Sequence, residues 1–185
     1  MTTTSTVETF VNDDDVHILA SQKDVSAFAP LYSKYHARLC RFAYQRLQSK
    51  DEAYEIVAIS FTKALANIKN YTLNGLPFSS WLYRIVLNEL NQQHRQNKIK
   101  RVINCENLNL NAIADELPDE TKIENIYKLK HALQHLQISE LDIIEMRFFE
   151  KKSFHEIAEI LELNEATVKM RLYRVLEKLK KIITS

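Results

Sequence analysis

Residues 155–179 read HEIAEILELNEATVKMRLYRVLEKL, and this stretch decides the fold. Ile157, Ala158, Leu161 and Leu163 line the inner side of one short helix and the turn that ends it. Ala158 places a small side chain where two steeply crossing helices must touch. Beyond the turn, Val168, Leu172, Val175, Leu176 and Leu179 form a narrow apolar stripe on a second helix. Beside and opposite that stripe stand Lys169, Met170, Arg171, Arg174, Lys178 and Lys181. The spacing predicts a helix-turn-helix whose second helix has one packed face and one basic face.

Such a helix suits the major groove of DNA, where long cations reach phosphates and side chains near the helix start reach base edges. Glu165, Thr167, Lys169, Arg171, Arg174 and Lys178 are the candidate contacts. The plainer alternative is an amphipathic helix with a solvated cationic face. The small residue and the turn, added to the stripe, favour DNA.

Outward from this motif, the composition points the same way. The chain has 185 residues, 45% of them hydrophobic, with one Gly and three Pro. Tight hairpins and phosphate-binding βαβ loops need more glycine than that, so the sequence predicts an all-α protein. Its formal charge is only +1, but basic residues gather at Arg95, Lys98, Lys100 and Arg101 as well as on the last helix. Screening confines each patch's field to roughly 10 Å, so both can attract phosphate although the total nearly cancels. Cys40 and Cys105 stand far apart with no CxxC, which argues against a disulfide or a zinc site. The first ten residues lack the basic start and apolar block of an export signal, and no long apolar run follows. A cytoplasmic protein with no membrane insertion is expected.

Helical periodicity divides the chain into two small helical domains joined by a flexible linker, the C-terminal one carrying the helix-turn-helix. Residues 1–17 read as a tail and the start of a first helix, 18–100 as one domain, 101–121 as the linker and 122–185 as the second domain. In the first, acids at 13–15 cap a helix through Gln22, and Asp24 caps the next. Pro30 implies a kink or a late start in that next helix. A helix over 51–70 is followed by a loop with Gly75 and Pro77, then by a helix from Trp81 to about Lys98 capped by Ser79 or Ser80. In the second domain, helices are expected over 122–136, 139–149, 153–161 and 165–183.

On the helix from Trp81, apolar residues cover most of the circumference. The remaining strip is Arg84, Asn88, Asn91 and Arg95, followed by Lys98 and Arg101 and preceded by Tyr71 and Phe78. Amides for base edges, cations for the backbone and nearby aromatics are what single-stranded DNA binding uses. A solvated strip with Trp81 in the core is the alternative reading. His131 and His135 sit four apart without a third metal ligand, and the acidic run lacks the Gly and distal Glu of a calcium loop. Nucleophile elbows, Walker loops and HExxH are absent from the sequence. No catalytic residue, metal or cofactor is expected.

Residues 142–161 (DIIEMRFFEKKSFHEIAEIL) and 166–179 (ATVKMRLYRVLEKL) resemble the promoter-reading domain of the extracytoplasmic-function sigma factors of bacterial RNA polymerase. Residues 31–35 (LYSKY), 78–85 (FSSWLYRI), Asn88 and Arg95 are similar to the other domain of that family. The resemblance spans roughly residues 20–100 and 122–182 in the family's order. It implies a non-enzymatic initiation factor with core RNA polymerase and promoter DNA, both duplex and melted strand, as partners. It also implies an anti-sigma factor as a further partner. By this likeness Trp81, Arg84, Asn88, Asn91, Arg95, Lys98 and Arg101 would lie near the melting −10 element. Glu165, Thr167, Lys169, Arg171, Arg174 and Lys178 would read the −35 element. In the helix that would grip the polymerase clamp, the family's two acids and Gln correspond to Glu55, Ala58 and Ile59, so only the first acid is kept. Gln92 replaces the family's usual Asp, and Glu162 stands where the turn commonly has Gly. A helix-turn-helix regulator that no longer engages polymerase is the alternative.

Overall fold

In the computed structural model, which describes residues 12–97, 110–114 and 122–184, the first helix starts where two side chains cap each other. The Asn12 side chain accepts the Asp15 amide at 3.0 Å, and Asp15 accepts the Asn12 amide at 3.1 Å. Asn12 is therefore the cap, and the acids fill the first turn of α1 (Asp13–Lys23), facing its positive end. Asp24 caps a short 3-10 turn (Val25–Phe28) instead of a long helix, accepting from the Ser26 amide at 3.0 Å. The late start foreseen at Pro30 is what α2 (Ala29–Leu47) shows: the proline sits in its first turn, where its missing N–H is harmless. Next comes α3 (Lys50–Asn67), capped by Ser49 and tightening into a 3-10 turn (Ile68–Asn70). Following the loop, α4 (Phe78–Asn97) begins at Phe78, not Trp81. Ser79 and Ser80 lie buried inside its first turn, so neither caps it.

The second half contains α5 (Asn111–Ala114), α6 (Lys122–Leu133), α7 (Ile138–Ile144), α8 (Phe154–Leu161) and α9 (Glu165–Thr184). A π-helical turn (Glu145–Phe149) continues α7, so the expected single helix changes its winding there. Ser153 and Glu156 cap α8 reciprocally. It ends at Glu162, which holds φ 54 in the left-handed region, where a side chain costs about 1 kcal/mol against glycine. The Leu163 amide returns to the Ala158 carbonyl at 2.9 Å and closes the turn. Val168, Leu172, Val175, Leu179 and Ile183 are the buried face of α9. Among the described residues the chain has no strand.

The two halves pack against each other, α4 on α8. Their buried apolar residues form one cluster, and charged and polar pairs cross between them. Glu150, 4% exposed, accepts from Arg38 Nε of α2 at 3.1 Å and from the Tyr83 hydroxyl of α4. Arg46 of α2, its side chain 1% exposed, pairs with Asp142 at 3.3 Å and with Glu145. Lys152 donates to Ser79 Oγ at 2.7 Å and to Glu156 at 2.8 Å. Burial pushes the Lys152 ammonium down, with Glu156 opposing. Burial, then Glu150, pushes the Tyr83 phenol well up, so it stays a donor. Most of the expected linker, with Cys105, lies outside the described residues. Its described part is packed: Leu110 and Ile113 are buried and α5 rests on α6.

Candidate nucleic-acid interface

The capping residue Asn164 sets the start of α9, its side chain accepting the Thr167 amide at 2.7 Å. Thr167 is half-buried beside it. Glu165 and Lys169 pair at 2.6 Å one turn apart, and this bond holds the Glu165 carboxyl below its ordinary range. The Lys169 ammonium lies 5.4 Å from the Phe154 ring centre. Arg171 and Arg174 are exposed, with no ion pair or hydrogen bond to another described residue. Lys178 is different: it reaches Glu140 of α7 at 2.7 Å and ties α9 to its neighbour. Between these cations stand two exposed apolar side chains absent from the candidate set, Met170 and Tyr173.

A groove of about 380 Å³ runs between the end of α3 and the start of α4, lined by Lys63, Asn67, Asn70, Tyr71, Trp81, Arg84 and Asn88 among others. Trp81 is half-buried against Tyr71 and Phe78, with ring centres 4.8 and 5.4 Å away. Its ring is thus part wall and part core. Arg84 lines the groove but bonds Glu159 of α8 at 3.2 Å and lies 3.8 Å from Glu162 at the turn. Asn88 and Arg95 are exposed and Asn91 is half-buried; Arg95 Nε donates to the Asn91 carbonyl at 3.3 Å. The strip is therefore one continuous line along α4. Lys98 and Arg101 lie outside the described residues. Asn67 at the end of α3 and Asn70 in the 3-10 turn that follows close the groove. Nothing in the helical period of α3 singles them out, although their amides at a helix end were a readable signal.

Glu55, Ala58 and Ile59 are all exposed on α3. Tyr54 and Tyr32 extend that surface, at 53% and 43% exposure, so it is more apolar than the sequence alone suggested. His131 and His135 meet edge to face, with ring centres 4.7 Å apart. Among the described residues no three His, Cys, Asp or Glu side chains cluster as metal ligands. No described helix is long and apolar enough to cross a membrane.

The model of Sigma-70 region 2 matches residues 31–99, which hold the groove and the α3 surface. The model of Sigma-70, region 4 matches residues 132–181, which hold the helix-turn-helix. The RNA polymerase sigma factor SigV of Bacillus subtilis is 34% identical over 137 residues, 74% of this chain and 79% of that protein. The ECF RNA polymerase sigma factor BldN of Streptomyces coelicolor is 25% identical over 167 residues, and the match spans 89% of this chain but 63% of BldN's length. The solved structure of CnrH in complex with the cytosolic domain of CnrY shares the fold, with a TM-score of 0.63, 17% identity and coverage of 91% of this chain and 96% of that one.

Proposed function

As a member of the RNA polymerase sigma factors, in their extracytoplasmic-function branch, this chain acts, we propose, by directing core RNA polymerase to promoters and helping to open them. The observation that carries the reading is the division of labour between two surfaces. One is a half-apolar groove edged by amides and cations; the other is a helix with exposed guanidinium groups.

The groove suits a melted strand. Trp81 and Tyr71 offer ring surface to an unstacked base, while Asn67, Asn70 and Asn88 offer amides to its edge. Arg84 and Arg95 would meet phosphates, Arg84 exchanging Glu159 and Glu162 for the strand. On α9, Arg171, Arg174 and Lys169 would hold duplex at the −35 element, with Glu165 and Thr167 at the groove end of the helix. Lys178 would serve from the side, since Glu140 already engages it. The exposed face of Glu55, Ala58 and Ile59, widened by Tyr54, would grip polymerase largely through apolar contact, which offsets the missing acid and Gln.

The protein itself catalyses no reaction in this account and works in the cytoplasm. A polypeptide anti-sigma factor is a further partner, as the sigma factor RpoE from Bartonella quintana is in complex with the anti-sigma factor NepR. A regulator detached from polymerase is the weaker reading, because the region 2 match spans α3 and α4 as well. The test is reconstitution. Core polymerase should co-elute with this chain and start transcripts at discrete sites only in its presence; failure to co-elute would refute the proposal.

A further inference from the structure

The geometry points to Met170 as a specificity-determining residue that reads the C5-methyl group of thymine in the duplex. This rests on the duplex reading of α9 and goes beyond it, since that reading uses only charged and polar side chains. At about 100° per residue, Met170 falls about 180° from the centre of the buried stripe. Tyr173 and Arg174 flank it, and Lys169 and Arg171 stand further round, about 80° from the stripe centre on either side. Cations at both edges of an inserted helix meet the two phosphate backbones, and the residue at the apex meets the floor of the groove. Here the apex residue is a thioether, 47% exposed, beside a ring that is 62% exposed.

Nothing in the fold explains that exposure. The stripe on the opposite face already satisfies α6, α7 and α8. In the major groove the apolar feature of a base edge is the thymine methyl; the other positions present donors and acceptors. A flexible, polarisable side chain with no polar atom to satisfy can cover that methyl without leaving a hydrogen-bonding group stranded. Tyr173, one turn further on, is placed about 5–6 Å away and reaches the adjacent base pair.

The test uses the full chain bound to core polymerase. Duplexes are enriched from a randomised pool. In an enriched duplex each thymine is then replaced singly by uracil, which removes only the methyl. Loss of one buried methyl should weaken binding about 4-fold at one or two positions. Met170→Ala should be indifferent to uracil at one of those positions, while Met170→Leu keeps the preference. Unchanged thermal melting of both variants shows that they fold. Indifference of the wild-type protein to every uracil, an enriched motif without thymine, or full sensitivity in Met170→Ala each overturns the proposal and leaves duplex binding standing. If no duplex is enriched at all, the duplex reading fails, and this inference with it.

Discussion

Glu150→Ala tests how the two halves hold each other. The carboxylate, its side chain 3% exposed, accepts from the Arg38 guanidinium and the Tyr83 hydroxyl, both across the boundary. Truncation leaves the wholly buried Tyr83 hydroxyl without its acceptor, a cost of about 1–3 kcal/mol. The Arg38 side chain is 40% exposed, so water replaces much of the missing bond and the change there adds little. A second Arg38 bond, from Nη2 to the Glu150 carbonyl at 3.0 Å, survives the substitution. The sum is about 1–3 kcal/mol, which at this chain length lowers Tm by roughly 2–12 °C. Tyr83→Phe removes the stranded hydroxyl, so the double variant should recover at least about 1 kcal/mol against additivity. Calorimetry of the four proteins completes the cycle. A Tm change below about 2 °C for Glu150→Ala, or strict additivity, would show that this junction does not form as described.

Arg46→Met removes the cation that buried Asp142 and Glu145 share and should cost about 3–5 kcal/mol in urea unfolding. A cost under about 1 kcal/mol would mean that the pairs are solvated. Arg171→Ala or Arg174→Ala should leave the melt unchanged and weaken duplex binding, lowering the salt slope by about 0.9 for each phosphate that is no longer neutralised; gel shifts at several salt concentrations check this, and an unaltered affinity refutes the reading face. Burial alone would raise the Glu156 carboxyl, but bonds from Lys152 and the Ser153 amide outweigh it and hold it below its ordinary value of 4.5. Its contribution is thus complete above the unfolded pKa and fades as pH falls through the lower folded one. Denaturation between about pH 5 and pH 3 should show a shallower pH dependence in Glu156→Gln than in wild type, and identical curves would sink the assignment.

The helix-turn-helix was readable because its signals agree. Apolar spacing placed the α9 stripe, Ala158 marked the crossing, and Pro30 marked a kink or a late start, of which the late start is realised. Local signals misled where several residues could fill one role. Ser79 and Ser80 looked like caps, yet Phe78 already belongs to the helix and the serines turn inward, Ser79 to receive Lys152. The junction between halves was invisible for a different reason. Periodicity says which face of a helix is covered, not what covers it, so the distant partners of the buried Arg46, Glu150 and Lys152 could not be read from the sequence. The same holds for Arg84, whose strip was legible while its ties to Glu159 and Glu162 were not. Met170 was seen to lie off the stripe but, like Tyr173, was passed over as a contact because DNA readout was sought among charged and polar side chains.

The most direct test of the two-surface account pairs two double variants in polymerase holoenzyme and measures each in two ways. Duplex affinity is read by gel shift, and strand opening by permanganate reactivity of unpaired thymines. Asn88→Ala with Arg95→Ala should lower thymine reactivity while duplex affinity holds, and Arg171→Ala with Arg174→Ala should lower duplex affinity first. If both pairs lose both signals in equal proportion, strand opening and duplex reading do not reside on separate surfaces.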